Sequence, residues 1–343
     1  MSIFAALLWH TLASFAAGAF YAPISKIKHW SWETSWILMG IFAWVLLPWG
    51  ISYFLIDDFS AFYKSISARD YIFMIFFGMM WGIGNVSYGL TMRYLGLALG
   101  GGIAIGTTMI VGSLLPLFVK GQFIATISTL SGIVAMLGVI VAVVGVWIVT
   151  NAGILKEHIQ RGTAKEFSMK KGIPIAIICG IFSSGFAFGL EFAGTIQENA
   201  LDLGINPLYA LLPSYGIIMG GGAVINFLFC IVRLNTNPNI SFKKDLAQPK
   251  NLLMPSALLA ISAGVCWYLQ FFFYSWGVAN VPAELGFINW MLHMSIYVLS
   301  VAVVGLLLSE WKGIGGRPLR MLWLGIIVII IASNIVGIGM ALQ

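Results

Sequence analysis

His10 and His293 are the side chains of this 343-residue sequence best suited to carrying a proton. Imidazole exchanges protons near physiological pH, and both histidines stand inside long apolar runs where little else titrates. Each lies seven residues into its run, so the two share a depth of about 10 Å below one surface at the helical rise. The competing reading of each is a neutral histidine satisfied by a carbonyl. Glu191 is the one formally charged side chain within the apolar runs, and a carboxyl there could take up and release a proton. It sits near the end of its run, however, where a helix continuing through Glu198 and Asp202 would make it an interfacial acid. Glu33 follows Ser31, a pattern in which serine caps a helix and the carboxylate favours its first turn. It could also close a gate with Lys26 or Arg93.

A second group of residues suits an uncharged guest rich in hydroxyls. Such a guest needs donors and acceptors for its OH groups and flat apolar faces for its C–H surfaces, usually without fixed charge. Trp81, Asn85, Tyr88, Tyr215, Trp267, Gln270 and Asn289 supply this mixture. Tyr274 and Trp290 stand near the ends of their runs, where interfacial aromatic belts form. Asn85 and Gln270 are the most informative pair, because a buried amide costs several kcal/mol unless it is partnered. Glycines at 100–102, 106 and 220–222 read first as close helix contacts and second as a flexible wall. Cys179, Cys230 and Cys266 lack CxxC spacing, so no metal, disulfide or cofactor is expected.

The elements that carry these residues must be membrane helices. The sequence is 60% hydrophobic and 9% charged, whereas a soluble domain carries roughly 25% charged residues. In lipid every backbone amide must be satisfied internally, which leaves helices or closed barrels. Apolar runs of roughly 20 residues fit helices, since barrel strands would alternate polarity over about 10. Ten spans are expected, at 3–22, 34–55, 71–92, 97–119, 131–150, 172–194, 208–232, 251–274, 286–308 and 321–341. The fold class is therefore an all-α polytopic membrane protein. The first span reads as a retained helix, because nothing basic precedes it and Lys26 and Lys28 follow.

Counting Lys and Arg by side gives fifteen on the face of the odd-to-even connections and three on the other. The richer face is expected in the cytoplasm and both termini outside, which accounts for the net charge of +6 without nucleic acid. The polar stretch 151–171 separates two groups of five spans, and an odd number implies halves of opposite topology, 1–165 and 166–343. Weak internal similarity agrees in order: Gly78-x-x-Trp81 with Tyr88 matches Gly264-x-x-Trp267 with Tyr274. Phe15-x-x-Gly18 likewise matches Phe182-x-x-Gly185, and Leu137-Gly138 matches Leu324-Gly325.

The runs WSWET (30–34), GMMWGIGNVSYGLTMRYLG (78–96), LPSYGIIMGGGA (212–223), WYLQFFFYSWG (267–277), NWMLHMS (289–295) and NIVGIGM (334–340) extend over the whole chain. In them the sequence resembles the bacterial L-rhamnose/proton symporter family, part of the drug/metabolite transporter superfamily. The resemblance implies two inverted five-helix halves, a methylpentose as substrate, a proton as coupling ion and the bacterial inner membrane as location. His10, Glu33, Arg93 and His293 fall in stretches that match the family's pattern. Glu191 departs from it, where a neutral residue is expected. Two other readings stay open: an exporter of drugs or metabolites with the same architecture, and a membrane-embedded enzyme. The enzyme finds no support in HExxH, paired carboxylates or a nucleophile–base pattern.

Overall fold

The computed structural model describes residues 2–159, 168–309 and 311–342, with every side chain among them except those at 93, 96–98 and 157. Among the described residues, ten helices are long and apolar enough to cross a membrane. They are α1 (Ile3–Ser25), α2 (Trp32–Leu55), α3 (Ala68–Met92), α4 (Leu99–Val119), α5 (Leu130–Lys156), α6 (Met169–Asp202), α7 (Leu212–Thr236), α8 (Lys250–Val278), α9 (Phe287–Leu307) and α10 (Arg317–Ala341). The shortest have 21 residues, about 31 Å of helix against a hydrocarbon core of about 30 Å. The boundary expected between residues 165 and 166 lies outside the described residues.

Local chemistry sets several of the starts. Ser2, Ser31, Ser67 and Ser168 each accept the backbone N–H three residues on, giving one otherwise orphaned donor a partner. Pro213 and Pro318 occupy the first turns of α7 and α10, where no amide donor is needed. α3 passes into α4 through residues that are themselves helical, so that Ala68–Val119 contains no extended loop. A straight rod of those 52 residues would run to about 78 Å, more than twice the membrane core. The chain instead folds back on itself, for a Cβ on Gly100 would lie 2.8 Å from the Thr91 methyl.

The connections sort onto two faces. On the basic face Asp245, in the short helix Phe242–Leu246, accepts from Ser31 N and the hydroxyls of Ser31 and Thr34. Ser168 N donates to the Tyr94 carbonyl there, and Lys156 lies over the Trp311 ring. On the opposite face Tyr63 donates to the Pro213 carbonyl, Ser2 N to Asn280, and Asn199 to Ser65. The predicted alternation of connections is therefore realised. α5 and α10 pack with backbones in close approach, Gly138 against Val336 and Gly325 against Val149.

The pattern Gly-x-x-Trp does the same work twice. A Cβ on Gly78 of α3 would strike the Ile218 carbonyl of α7, and one on Gly264 of α8 would lie 2.5 Å from the Met39 carbonyl of α2. Both glycines let their helices close on a neighbour's backbone, and the tryptophans one turn on meet at the centre of the molecule.

Candidate functional site

The paired tryptophans build the middle of the site. Trp81 of α3 and Trp267 of α8 pack against each other, their rings tilted by 41° with centroids 5.4 Å apart. Trp44 stands edge-on to both, at 5.8 Å from each. Its place is set by a π-helical stretch, Ile41–Leu46, inside α2; such stretches insert an extra residue and often mark functional positions. Asn226 of α7 ties the floor together, accepting from Trp36 Nε1 at 2.9 Å and from Asn85 Nδ2 at 3.4 Å while donating to the Gly222 carbonyl.

A chamber of about 70 Å³ is lined by Trp81, Asn85, Tyr88, Trp267 and Gln270, five of the seven residues expected to meet a sugar. Tyr297, Thr108, Ser183 and Cys179 complete its polar lining. The Gln270 side chain is 4% exposed, and its amide has no protein hydrogen bond among the described residues. An amide there is committed to whatever enters, since leaving it unpaired in a closed protein is costly. The chamber holds about two waters by liquid volume, so it must widen to admit a monosaccharide.

Above it, on the face opposite the basic one, opens a vestibule of about 740 Å³, within the range of small-molecule sites of roughly 300–1,000 Å³. Tyr274, Asn289 and Trp290 form part of its wall, and Glu191 and Lys120 stand in it as an ion pair. Trp290 lines both spaces. Its indole N–H donates to the Thr108 carbonyl at 3.2 Å, it stacks on Phe186 at 6.0 Å, and Gly112 leaves room for it. One ring thus separates vestibule from chamber. Trp290 and Tyr274, at 5% and 3% exposure, are interior residues rather than members of an aromatic belt. Which side of its helix a residue near a span end occupies is set by packing, which residue spacing does not reveal.

His10 and His293 come together. Both are fully buried, and both rings contact Tyr274 at 5.3 Å. Ser14 joins them, its hydroxyl lying 2.7 Å from the His10 carbonyl, 2.8 Å from the His293 carbonyl and 3.1 Å from His293 Nδ1. Asn289 contacts His10 Nε2 at 2.9 Å, so it serves the histidine pair rather than the central chamber. A Cβ on Gly277 would lie 2.7 Å from His10 Nε2, which makes this glycine the space the imidazole occupies.

The remaining candidates lie apart. Tyr215 is buried against Phe186 and Phe271 and lines neither of these two spaces. Glu191 ends the middle segment of α6 and pairs with Lys120, with its side chain 33% exposed. A solvated, paired carboxylate at the mouth has neither the burial nor the position of a mid-membrane proton site. Glu33 is 7% exposed and forms an ion pair with Arg233 of α7, whose Nε lies 3.2 Å away; Lys26 is exposed. The Arg93 side chain lies outside the described residues.

The Glu33–Arg233 pair and the Asp245 bonds tie α2 to α7 and its following connection on the face opposite the open vestibule. Glu33→Gln and Arg233→Gln are each expected to slow uptake about fivefold, and the double substitution to be no worse than either, because both remove one link of about 1 kcal/mol. Initial rates of the three variants check this, and additive losses would refute it.

Ser14, Trp44, Asn226 and Arg233 were absent from the expected site. Serine, tryptophan and asparagine are common in such helices, and only Asn226, a lone amide in the apolar run after Gly222, carried a local signal.

The family model for the L-rhamnose-proton symport protein matches residues 1–342. The L-rhamnose-proton symporter of Mannheimia succiniciproducens is 51% identical over 340 residues, 99% of each chain. That of Pectobacterium atrosepticum is 53% identical over 335 residues, 98% of this chain and 97% of the relative. That of Escherichia coli K12 is 51% identical over the same length and shares. The agreement extends from end to end and covers the helices that build both the chamber and the histidine pair, so the chain belongs to the L-rhamnose-proton symport protein family.

Proposed function

We propose that this multi-pass membrane transporter carries L-rhamnose or a closely related methylpentose, with a proton, across the bacterial inner membrane by alternating access. The central observation is the pair of tryptophan faces beside the unpartnered Gln270 amide, a surface for C–H bonds next to donors and acceptors for hydroxyls. The relatives named for this sugar and this ion support the choice of guest. The positive-inside rule assigns the basic face to the cytoplasm, so both termini and the vestibule face the periplasm. In that orientation the conformation is open outward, with Glu33 and Arg233 closing the inner side.

The halves 1–165 and 166–343 act as inverted repeats in this reading. Two facts support it: the twice-used Gly-x-x-Trp contact, and the pairing of α1 with α8 and α9 while α6 pairs with α3 and α4. Sugar and proton enter the vestibule, Trp290 swings off Thr108, the chamber widens around the guest, and the halves rock. His293 and His10 are the proton carriers, since a proton drives transport only through unequal affinity for the two conformations.

Uptake of labelled L-rhamnose into cells lacking their own carrier tests this directly. Expression of the chain is expected to confer accumulation that a protonophore abolishes, with alkalinisation outside on adding sugar. An exporter would extrude hydrophobic compounds and give no sugar-dependent alkalinisation. Tags at the two ends are expected to react from the same, periplasmic side.

A further inference from the structure

The hydrogen bonds around the two histidines fix which nitrogen of each carries a hydrogen. Ser14 has one hydroxyl hydrogen and three neighbours, two of which are carbonyl oxygens that can only accept. The hydroxyl hydrogen goes to those carbonyls, so the contact to His293 Nδ1 must run the other way, with Nδ1–H donating to Ser14 Oγ. His293 Nε2 is then a bare lone pair, buried without a partner as His10 Nδ1 also is, and of the two rings it is His293 that packs against residues lining the chamber. On the other ring, Asn289 Nδ2 donates to the Gly286 carbonyl at 3.0 Å, which turns Oδ1 toward His10. His10 Nε2–H therefore donates to Asn289.

A buried acceptor without a partner is rare and costs stability, so one kept beside a transport pathway calls for a function. His293 packs against Phe271, Trp290 and Tyr297, which line the central chamber, so its ring forms the layer directly behind the chamber wall. We propose that the transported proton resides on Nε2 of His293, and that Ser14 is the positioning residue that holds that nitrogen free and passes its protonation to α1. The proposal rests on the reading of the chain as a proton symporter that uses His293.

The link is physical. Protonation turns the Nδ1–H···Oγ bond into one donated by a cation, roughly twice as strong as a neutral one. Ser14 Oγ is bonded at the same time to backbone carbonyls of α1 and α9, so a change at the ring is felt where the two helices meet. The titratable side chains facing His293 are His10 of α1, Tyr274 of α8 and Tyr297 of α9, with Tyr88 of α3 and Cys179 of α6 on the chamber lining; α4, α5 and α10 bring none at this depth. Glu191 and Lys120 pair with each other in the vestibule.

The test uses the full chain in nanodiscs with 15N-labelled histidine, the His293 signal being assigned from its absence in His293→Gln. At high pH the wild type is expected to show His293 protonated on Nδ1, and Ser14→Ala to mix the two tautomers. In vesicles, losing a bond to a charged donor should weaken proton affinity about tenfold, so half-maximal uptake by Ser14→Ala moves about one unit to lower pH. A wild-type His293 protonated on Nε2 overturns the proposal without any variant having to fold. An unshifted pH profile in Ser14→Ala, with His293→Gln unable to accumulate sugar, overturns it and leaves the symport reading intact. Full proton-driven accumulation by His293→Gln removes that reading and the proposal with it.

Discussion

His293→Gln is expected to abolish proton-driven accumulation of L-rhamnose while sugar still equilibrates across the membrane. At one proton per sugar, a gradient of one pH unit sustains about a tenfold concentration ratio, because tenfold in any equilibrium is about 1.4 kcal/mol. Without a proton seat the two conformations no longer differ in proton affinity, and the ratio falls to one. Glutamine keeps the size and polarity of the imidazole but cannot take up the proton, so the change isolates chemistry from packing. Glu191→Gln is the contrasting case: its partner Lys120 and its partial exposure make it a surface pair, and accumulation should stay within about twofold of the wild type. Wild-type accumulation by His293→Gln, measured in vesicles with an imposed pH gradient, would exclude the histidine as the coupling site.

Gln270→Ala is expected to raise the KM for L-rhamnose about 10- to 100-fold with the protein still inserted and folded. The amide has no protein partner to lose, so its removal leaves no orphaned group behind. It deletes one donor and one acceptor for the sugar, each worth about 0.5–1.5 kcal/mol, and every 1.4 kcal/mol is tenfold in affinity. Binding of sugar to purified protein, with a thermal melt of the empty carrier as control, separates the two effects. An unchanged KM would mean that the guest sits elsewhere, and the vestibule beside Asn289 would become the site to examine.

Apolar content and length placed ten helices in lipid, because no other structure satisfies the backbone there, and the runs had to match the membrane's thickness. The same reasoning gathered Trp81, Asn85, Tyr88, Tyr215, Trp267, Gln270 and Asn289 as residues for a hydroxylated guest, and five of the seven, all but Tyr215 and Asn289, line the chamber. It also gave His10 and His293 a common depth, since helical rise converts position in a span directly into height. Height carries no information about rotation or about which helices touch. The reach of Ser14 to both histidines, the pairing of Glu33 with Arg233 two hundred residues away in place of Lys26, and the withdrawal of Tyr215 behind Phe271 all depend on helix orientation. Glu191 shows the same limit, as its pairing with Lys120 needs the two helix ends to meet at one mouth. The sequence by itself determined the solvent and the number of crossings, which follow from composition along a line, while the kind of guest was implied by resemblance to a known family. Only the tertiary structure decided which buried nitrogens stand without a partner, His293 Nε2 and His10 Nδ1 among them, and which amide faces open space, because hydrogen bonds are counted between neighbours that the fold alone selects.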